Sequence, residues 1–110
     1  MTIWVAELYY TNADGEDCDW RILAKTERAA KRATAEYIQE NPDVTGVDSE
    51  AAGRFIANNP LFDVGQWMIE KFEAGDYTQI IDLANAMIEK GESEVELPFE
   101  IFESEVLEAE

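Results

Sequence analysis

Residues 2–25 read T-I-W-V-A-E-L-Y-Y-T-N-A-D-G-E-D-C-D-W-R-I-L-A-K, two runs rich in β-branched and aromatic side chains either side of Asp14-Gly15. Such side chains fit a pleated surface, and Asp-Gly supplies the positive φ that tight hairpin turns demand. From Cys18 onward the polarity alternates. Cys18, Trp20, Ile22 and Ala24 fall on one face, and Asp19, Arg21, Leu23 and Lys25 on the other. The chain therefore opens with a β-hairpin, for which two registers stand open. A two-residue turn at Asp14-Gly15 pairs Tyr9 with Trp20 and sets Glu7 beside Ile22. A slip of one residue, through a longer or bulged turn, buries Trp4, Ala6, Leu8 and Tyr10 instead and gives a more uniformly apolar face.

Beyond the hairpin the period changes from two to that of helices. Thr26 is placed to cap a helix running to about Gln39, with a slim stripe of Ala29, Ala30, Ala33, Tyr37 and Ile38 able to lie close on a sheet. Asn41-Pro42 stops it, because the residue before proline is pushed out of the helical region, and residues 43–47 read as a loop. Asp48 or Ser49 caps a short second helix through Phe55 and Ile56, closed by Asn58-Asn59-Pro60. Asp63 starts a third, with Gln66 three residues on and Phe62 and Trp67 at the two positions of a hydrophobic staple. Gly75 ends that helix. Asp76 with Gln79 repeats the start signal, and Ile80, Leu83, Ala84 and Met87 follow the spacing of a buried helical face until Lys90-Gly91.

Period two returns at the C-terminus. Val95, Leu97, Phe99 and Ile101 face one way, and Glu94, Glu96, Pro98 and Glu100 the other. Pro98 has no N–H to give a ladder, so this is an edge strand or a strand with a break. The expected order is β-β-α-α-α-α-β. That is an α+β fold in which an antiparallel sheet, made of the hairpin and the C-terminal strand, is packed by about four helices in one domain over residues 1–110.

Charge restricts the chemistry. The chain has 25 Asp plus Glu against 8 Lys plus Arg, a net charge of -17, with no histidine and one cysteine. Ser–His and Cys–His nucleophile pairs are excluded, and zinc lacks its usual ligands. Asn12 to Asp19 superficially resembles a calcium loop, but aligning Gly15 on that loop's glycine puts Tyr10 and Arg21 where acids are required. Two carboxylates alone can hydrolyse a glycoside, which needs a concave site that a chain this short has little material to build. Neither metal nor cofactor nor catalytic residue is assigned, and the chain is expected not to be an enzyme. Cys18 alone forms no internal disulfide and reads as a half-buried strand residue in a reducing compartment. The N-terminus lacks a signal-peptide pattern and no apolar run reaches membrane length, so a cytoplasmic protein without membrane contact is expected.

The acids are unevenly placed. Five of the eight bases, Arg21, Lys25, Arg28, Lys31 and Arg32, lie within residues 21–32, whereas residues 92–110 carry eight glutamates and no base. The basic cluster is expected to pair with neighbours such as Glu27, Asp19 and Glu36 rather than to bind nucleic acid, which the net charge repels. On a strand, Glu94, Glu96 and Glu100 would line one face at roughly 6–7 Å spacing. One strand of DNA carries a charge per roughly 3.4 Å, so such a row backed by helix-borne acids approaches its charge density. The main candidate contact row is Glu92, Glu94, Glu96, Glu100, Glu103 and Glu105, with Phe102 at its edge. Asp14, Glu16, Asp17 and Asp19 at the hairpin tip form a second group, and Asp76, Asp82 and Glu89 on the last helix a third.

In size, charge and lack of catalytic side chains the chain resembles the small acidic inhibitors of phages and plasmids, the DNA-mimic anti-restriction proteins and some anti-CRISPR proteins. No family motif is matched residue by residue, so the resemblance assigns no functional residue. It implies an inhibitor in the host cytoplasm that occupies the nucleic-acid channel or recruitment surface of a basic, nucleic-acid-binding defence complex, without turnover. The same composition also suits an accessory interaction module, a homodimer through a sheet edge, whose acidity serves solubility. Halophilic adaptation would fit the four lysines but not the rise of acidity along the chain.

Overall fold

A computed structural model describes residues 2–11 and 14–105. Asn12 and Ala13 of the hairpin connection lie outside the described residues, as do Glu108 and Glu110. The order is β1 (Thr2–Thr11), β2 (Asp17–Ala24), α1 (Glu27–Glu40), α2 (Pro42–Thr45), α3 (Glu50–Ala57), α4 (Val64–Glu73), α5 (Tyr77–Glu89) and β3 (Glu100–Glu105). This is the expected α+β arrangement with one addition. Asn41-Pro42 ends α1 as the sequence indicates, but proline at the first helical position also starts the single turn α2 in place of the expected loop.

The three strands form one antiparallel sheet in the order β2-β1-β3. Trp4 opposes Ala24, Ala6 opposes Ile22, Leu8 opposes Trp20 and Tyr10 opposes Cys18. The slipped register is therefore the one adopted, and the connection spans residues 12–16 instead of closing at Asp14-Gly15. The reason is burial. In this register Ala6 and Leu8, 0% and 1% exposed, face the helices, whereas the tighter turn would put Glu7 among the inward side chains. Trp20 stacks on Tyr37 of α1 at 4.6 Å, and Phe99 meets both rings edge-on at 6.1 Å. This aromatic triad joins sheet, helix layer and C-terminal segment.

All helices lie on one side of the sheet. Helix α1 packs against the three strands and against α5, burying Ala30, Thr34, Ala35 and Ile38. The buried stripe is rotated from the expected one, leaving Ala29 exposed, because the Thr34 hydroxyl bonds the Ala30 carbonyl at 2.8 Å and can be buried without a loose polar group. Helix α5 is the centre of the core: Ile80, Leu83, Ala84 and Met87 are each at most 1% exposed. Thr26, Ser49 and Asp63 cap α1, α3 and α4 through side-chain oxygens that accept N–H groups of the first turn. Asp76 occupies the N-cap of α5 but makes no side-chain cap bond.

The C-terminal segment departs most from expectation. Residues 92–99 form an irregular arm, and the strand begins only at Glu100. The backbone N–H of Glu94 and the hydroxyl of Ser93 both donate to the Val44 carbonyl, at 3.2 and 2.7 Å. The Phe99 N–H donates to the Asn85 side chain at 3.0 Å. These bonds draw Val95 and Phe99 into the core and leave Leu97 63% exposed, so the alternation expected from Val95 to Ile101 breaks in the middle.

Candidate acidic interaction surface

Because the helices cover one side of the sheet, its other side has no partner among the described residues. Side chains directly opposite in an antiparallel pair share a face. The uncovered face thus carries three rows: Leu23, Val5 and Phe102; Arg21, Glu7 and Glu100; Asp19 and Tyr9; with Asp17 and Thr11 beyond. Neighbouring strands are about 4.8 Å apart and successive rows about 7 Å. One end is apolar: Leu23 is 63% and Phe102 37% exposed, flanking a buried Val5 that lies outside the main core. The other end is acidic, with Asp17, Asp19, Glu7 and Glu100 against the single base Arg21, which meets Glu7 at 3.6 Å.

The three candidate groups come to rest in different places. Of the main row, Glu100 lies on the uncovered face, opposite Glu7. Glu103 opposes Trp4 and so belongs to the other parity, and Glu105 opposes Thr2. Glu92, Glu94 and Glu96 sit exposed on the irregular arm, so the single carboxylate row expected on one strand does not form. The cause is the pull of Ser93 and Asn85 on the backbone described above. Asp17 and Asp19 of the second group share the uncovered face, and Asp14 and Glu16 are exposed beside them. In the third group, Asp82 and Glu89 lie seven residues apart on the solvent side of α5, about 10.5 Å along the axis, with Asp76 at its N-cap.

Part of the first group and the second nevertheless converge. A cleft of about 290 Å³ is lined by Tyr9, Tyr10, Thr11, Asp17, Cys18, Glu96 and Leu97. The arm thereby carries Glu96 alongside the end of β1, where Asp17 approaches from β2 and accepts the Thr11 hydroxyl at 3.2 Å. Glu7 was missed by sequence reasoning, which set it beside Ile22 in one register; only the strand alignment reveals it at the centre of the acidic end. Burial pushes the Tyr10 phenol up to about 12, helped by the neighbouring Tyr37 and Cys18, and burial also raises Tyr37.

The cations are spent in an unexpected way. Lys31 pairs with Glu27 at 2.9 Å as anticipated, Arg54 with Glu50 at 3.1 Å, and Arg21 with Glu7 rather than Asp19. Four others sit over rings: Arg28 on Tyr77, Arg32 on Phe72, Lys71 on Trp67 and Lys90 on Phe55, at 5.3–5.8 Å. Half of the eight bases therefore lie against aromatic faces.

Among the described residues no group of three or more Cys, Asp or Glu is arranged to hold a metal ion, and no helix is long and apolar enough to cross a membrane. In comparisons with known proteins the chain matches no family model, no curated protein and no solved structure.

Proposed function

We propose that the protein is a non-catalytic inhibitor in the cytoplasm that binds a basic, nucleic-acid-binding protein or defence complex of the restriction or CRISPR type. The acidic surface takes the place of nucleic acid, and the mechanism is competition for a groove lined by Arg and Lys. The observation that carries this reading is the placement of charge. Half of the cations rest on rings, and the sheet's acidic end sets Asp17, Asp19, Glu7 and Glu100 around one arginine. Lys and Arg that hold phosphates are attracted to such a surface by the same electrostatics.

Self-association through a sheet edge is disfavoured on the same grounds. Glu100, Glu103 and Glu105 are exposed on the β3 edge, and Asp17 and Asp19 on the β2 edge. Charges along an edge oppose the addition of a like-charged strand.

The test is a pull-down from host lysate with the tagged chain, eluted by a salt gradient. One stoichiometric nucleic-acid-binding complex, released by salt and displaced by DNA or RNA, is the expected result. A diffuse set of basic proteins, or no salt-sensitive partner, refutes the reading and leaves the acidity to solubility.

A further inference from the structure

We infer that the uncovered face of the sheet is the docking surface, and that its occupant is a basic protein surface with an apolar margin. This rests on the proposed function and names the part of the molecule that performs it. Seven large hydrophobic residues are substantially exposed among the described residues: Tyr9, Leu23, Phe55, Leu61, Ile69, Leu97 and Phe102. Four of them lie on or beside this face, as two pairs separated by the Arg21, Glu7 and Glu100 row. Leu23 and Phe102 flank Val5, Tyr9 stands between Asp19 and the arm, and Leu97 borders the cleft beside Tyr9. Several exposed apolar side chains on one face, flanked by charge, mark interaction sites. Aromatic anchors beside desolvated charges are the usual centres of binding energy.

A second copy of this chain does not suit the face. Stable interfaces bury about 800 Å² on each partner, and four partly exposed side chains supply only a fraction of that. The remainder of the contact must be polar, and on the sheet strands it consists of Asp17, Asp19, Glu7 and Glu100 against Arg21 alone. Two such faces repel, whereas a surface of Lys and Arg meets them with complementary charge. The apolar end gives such a partner a contact that nucleic acid does not offer, so binding falls less steeply with salt than that of DNA.

The experiment compares two double charge reversals. Asp19→Lys with Glu100→Lys alters the sheet face, and Asp82→Lys with Glu89→Lys alters α5. Each pair changes four units, taking the net charge from -17 to -13. All four side chains are exposed, so both variants are expected to fold, checked by circular dichroism. A third variant, Leu23→Ser, removes apolar contact without changing charge. The probes are purified restriction endonucleases and RNA-guided nuclease complexes, titrated with labelled chain against duplex DNA competitor. Sedimentation velocity reads the oligomeric state.

The sheet pair is expected to bind roughly tenfold or more weakly than the α5 pair, and Leu23→Ser to weaken binding with a larger effect at high salt. Equal losses from the two pairs overturn the assigned face while leaving the acidic-inhibitor reading intact, since charge alone would then govern. A larger loss from the α5 pair moves the site to the helix layer and also overturns it. A wild-type dimer that Leu23→Ser dissociates makes the occupant a second copy. Failure of wild-type chain to bind any probe refutes the functional reading, and this inference falls with it.

Discussion

Gly46→Ala and Gly91→Ala are two substitutions that look alike in the sequence and differ in the structure. Both glycines follow a helix and hold φ of +79°, a conformation that costs alanine about 1–2 kcal/mol. Part of that cost is offset by about 0.4–1 kcal/mol, because alanine also restricts the unfolded chain. A Cβ at Gly91 meets nothing within 4 Å, so its net loss is about 1 kcal/mol. At Gly46 the Cβ would lie 2.5 Å from the Glu92 carbonyl oxygen and 2.9 Å from its carbon. Those are backbone atoms, and the arm must move. Displacing it breaks the Ser93 hydroxyl and Glu94 N–H bonds to the Val44 carbonyl, worth about 1 kcal/mol each. The loss at Gly46 therefore comes to about 3 kcal/mol. In melting temperature this is a fall of roughly 4 °C for Gly91→Ala and roughly 12 °C for Gly46→Ala. Thermal and urea unfolding, followed by circular dichroism and tryptophan fluorescence, measure both. Losses equal to within about 0.5 kcal/mol, small beside the hydrogen bonds at stake, would refute the claim that the acidic arm is clamped to α2 and the turn after it.

Three further outcomes follow from the same geometry. Leu83→Ala, at a side chain 1% exposed in the centre of α5, should cost about 3 kcal/mol in urea unfolding through lost burial and a residual cavity. Asp63→Ala should cost about 1 kcal/mol, because its carboxylate accepts the Gln66 N–H at 3.0 Å. Asp76→Ala should cost clearly less, since Asp76 makes no such bond; equal costs in thermal unfolding would count against the capping assignment. In a spectrophotometric titration, the phenolate signal removed by Tyr10→Phe should have its midpoint near 12. The folded value lies above the unfolded one of about 10, so the stability linked to Tyr10 is fully present below pH 10 and is lost as pH rises through 12.

What the sequence reveals of this fold is what short-range physics determines. Thr26, Ser49 and Asp63 cap helices where expected, because a cap is a bond across three residues. The hairpin was equally legible, and the apolar face of Trp4, Ala6, Leu8 and Tyr10 pointed to the register adopted. The arm was not. Val95, Leu97, Phe99 and Ile101 have the period of a strand, but Ser93 and Asn85 fasten the backbone to partners 49 and 14 residues away, which no local pattern encodes. Held in this way, Glu94 and Glu96 leave the strand, and the expected carboxylate row does not form. The convergence of Glu96 with Asp17, and of Glu100 with Glu7, depends on strand order and could be read only from the assembled sheet.

The distribution of cations matters more than their number. An exposed ion pair and an exposed cation–π contact each contribute somewhat under about 1 kcal/mol, so stability gives little reason to prefer one. Their location has a larger consequence. Arg28 ties α1 to Tyr77 of α5, Arg32 ties it to Phe72 of α4, and Lys90 reaches Phe55 of α3. Most positive charge is thereby held in the helix layer, while the strands carry Glu7, Asp17, Asp19, Glu100, Glu103 and Glu105 against Arg21 alone. Carboxylates are thus least offset by cations on the strands, six against one, whereas the helices carry nine against five. Under the proposed function, that imbalance would steer a basic groove toward the sheet before contact, an effect carried by the association rate and weakened by salt. Reversal of Asp19 and Glu100 should therefore slow association at low salt more than reversal of Asp82 and Glu89. The two rates should converge as the Debye length shrinks below the roughly 10 Å scale of the surface features. Acidity that served hydration alone would give both variants the same association rate at every salt concentration.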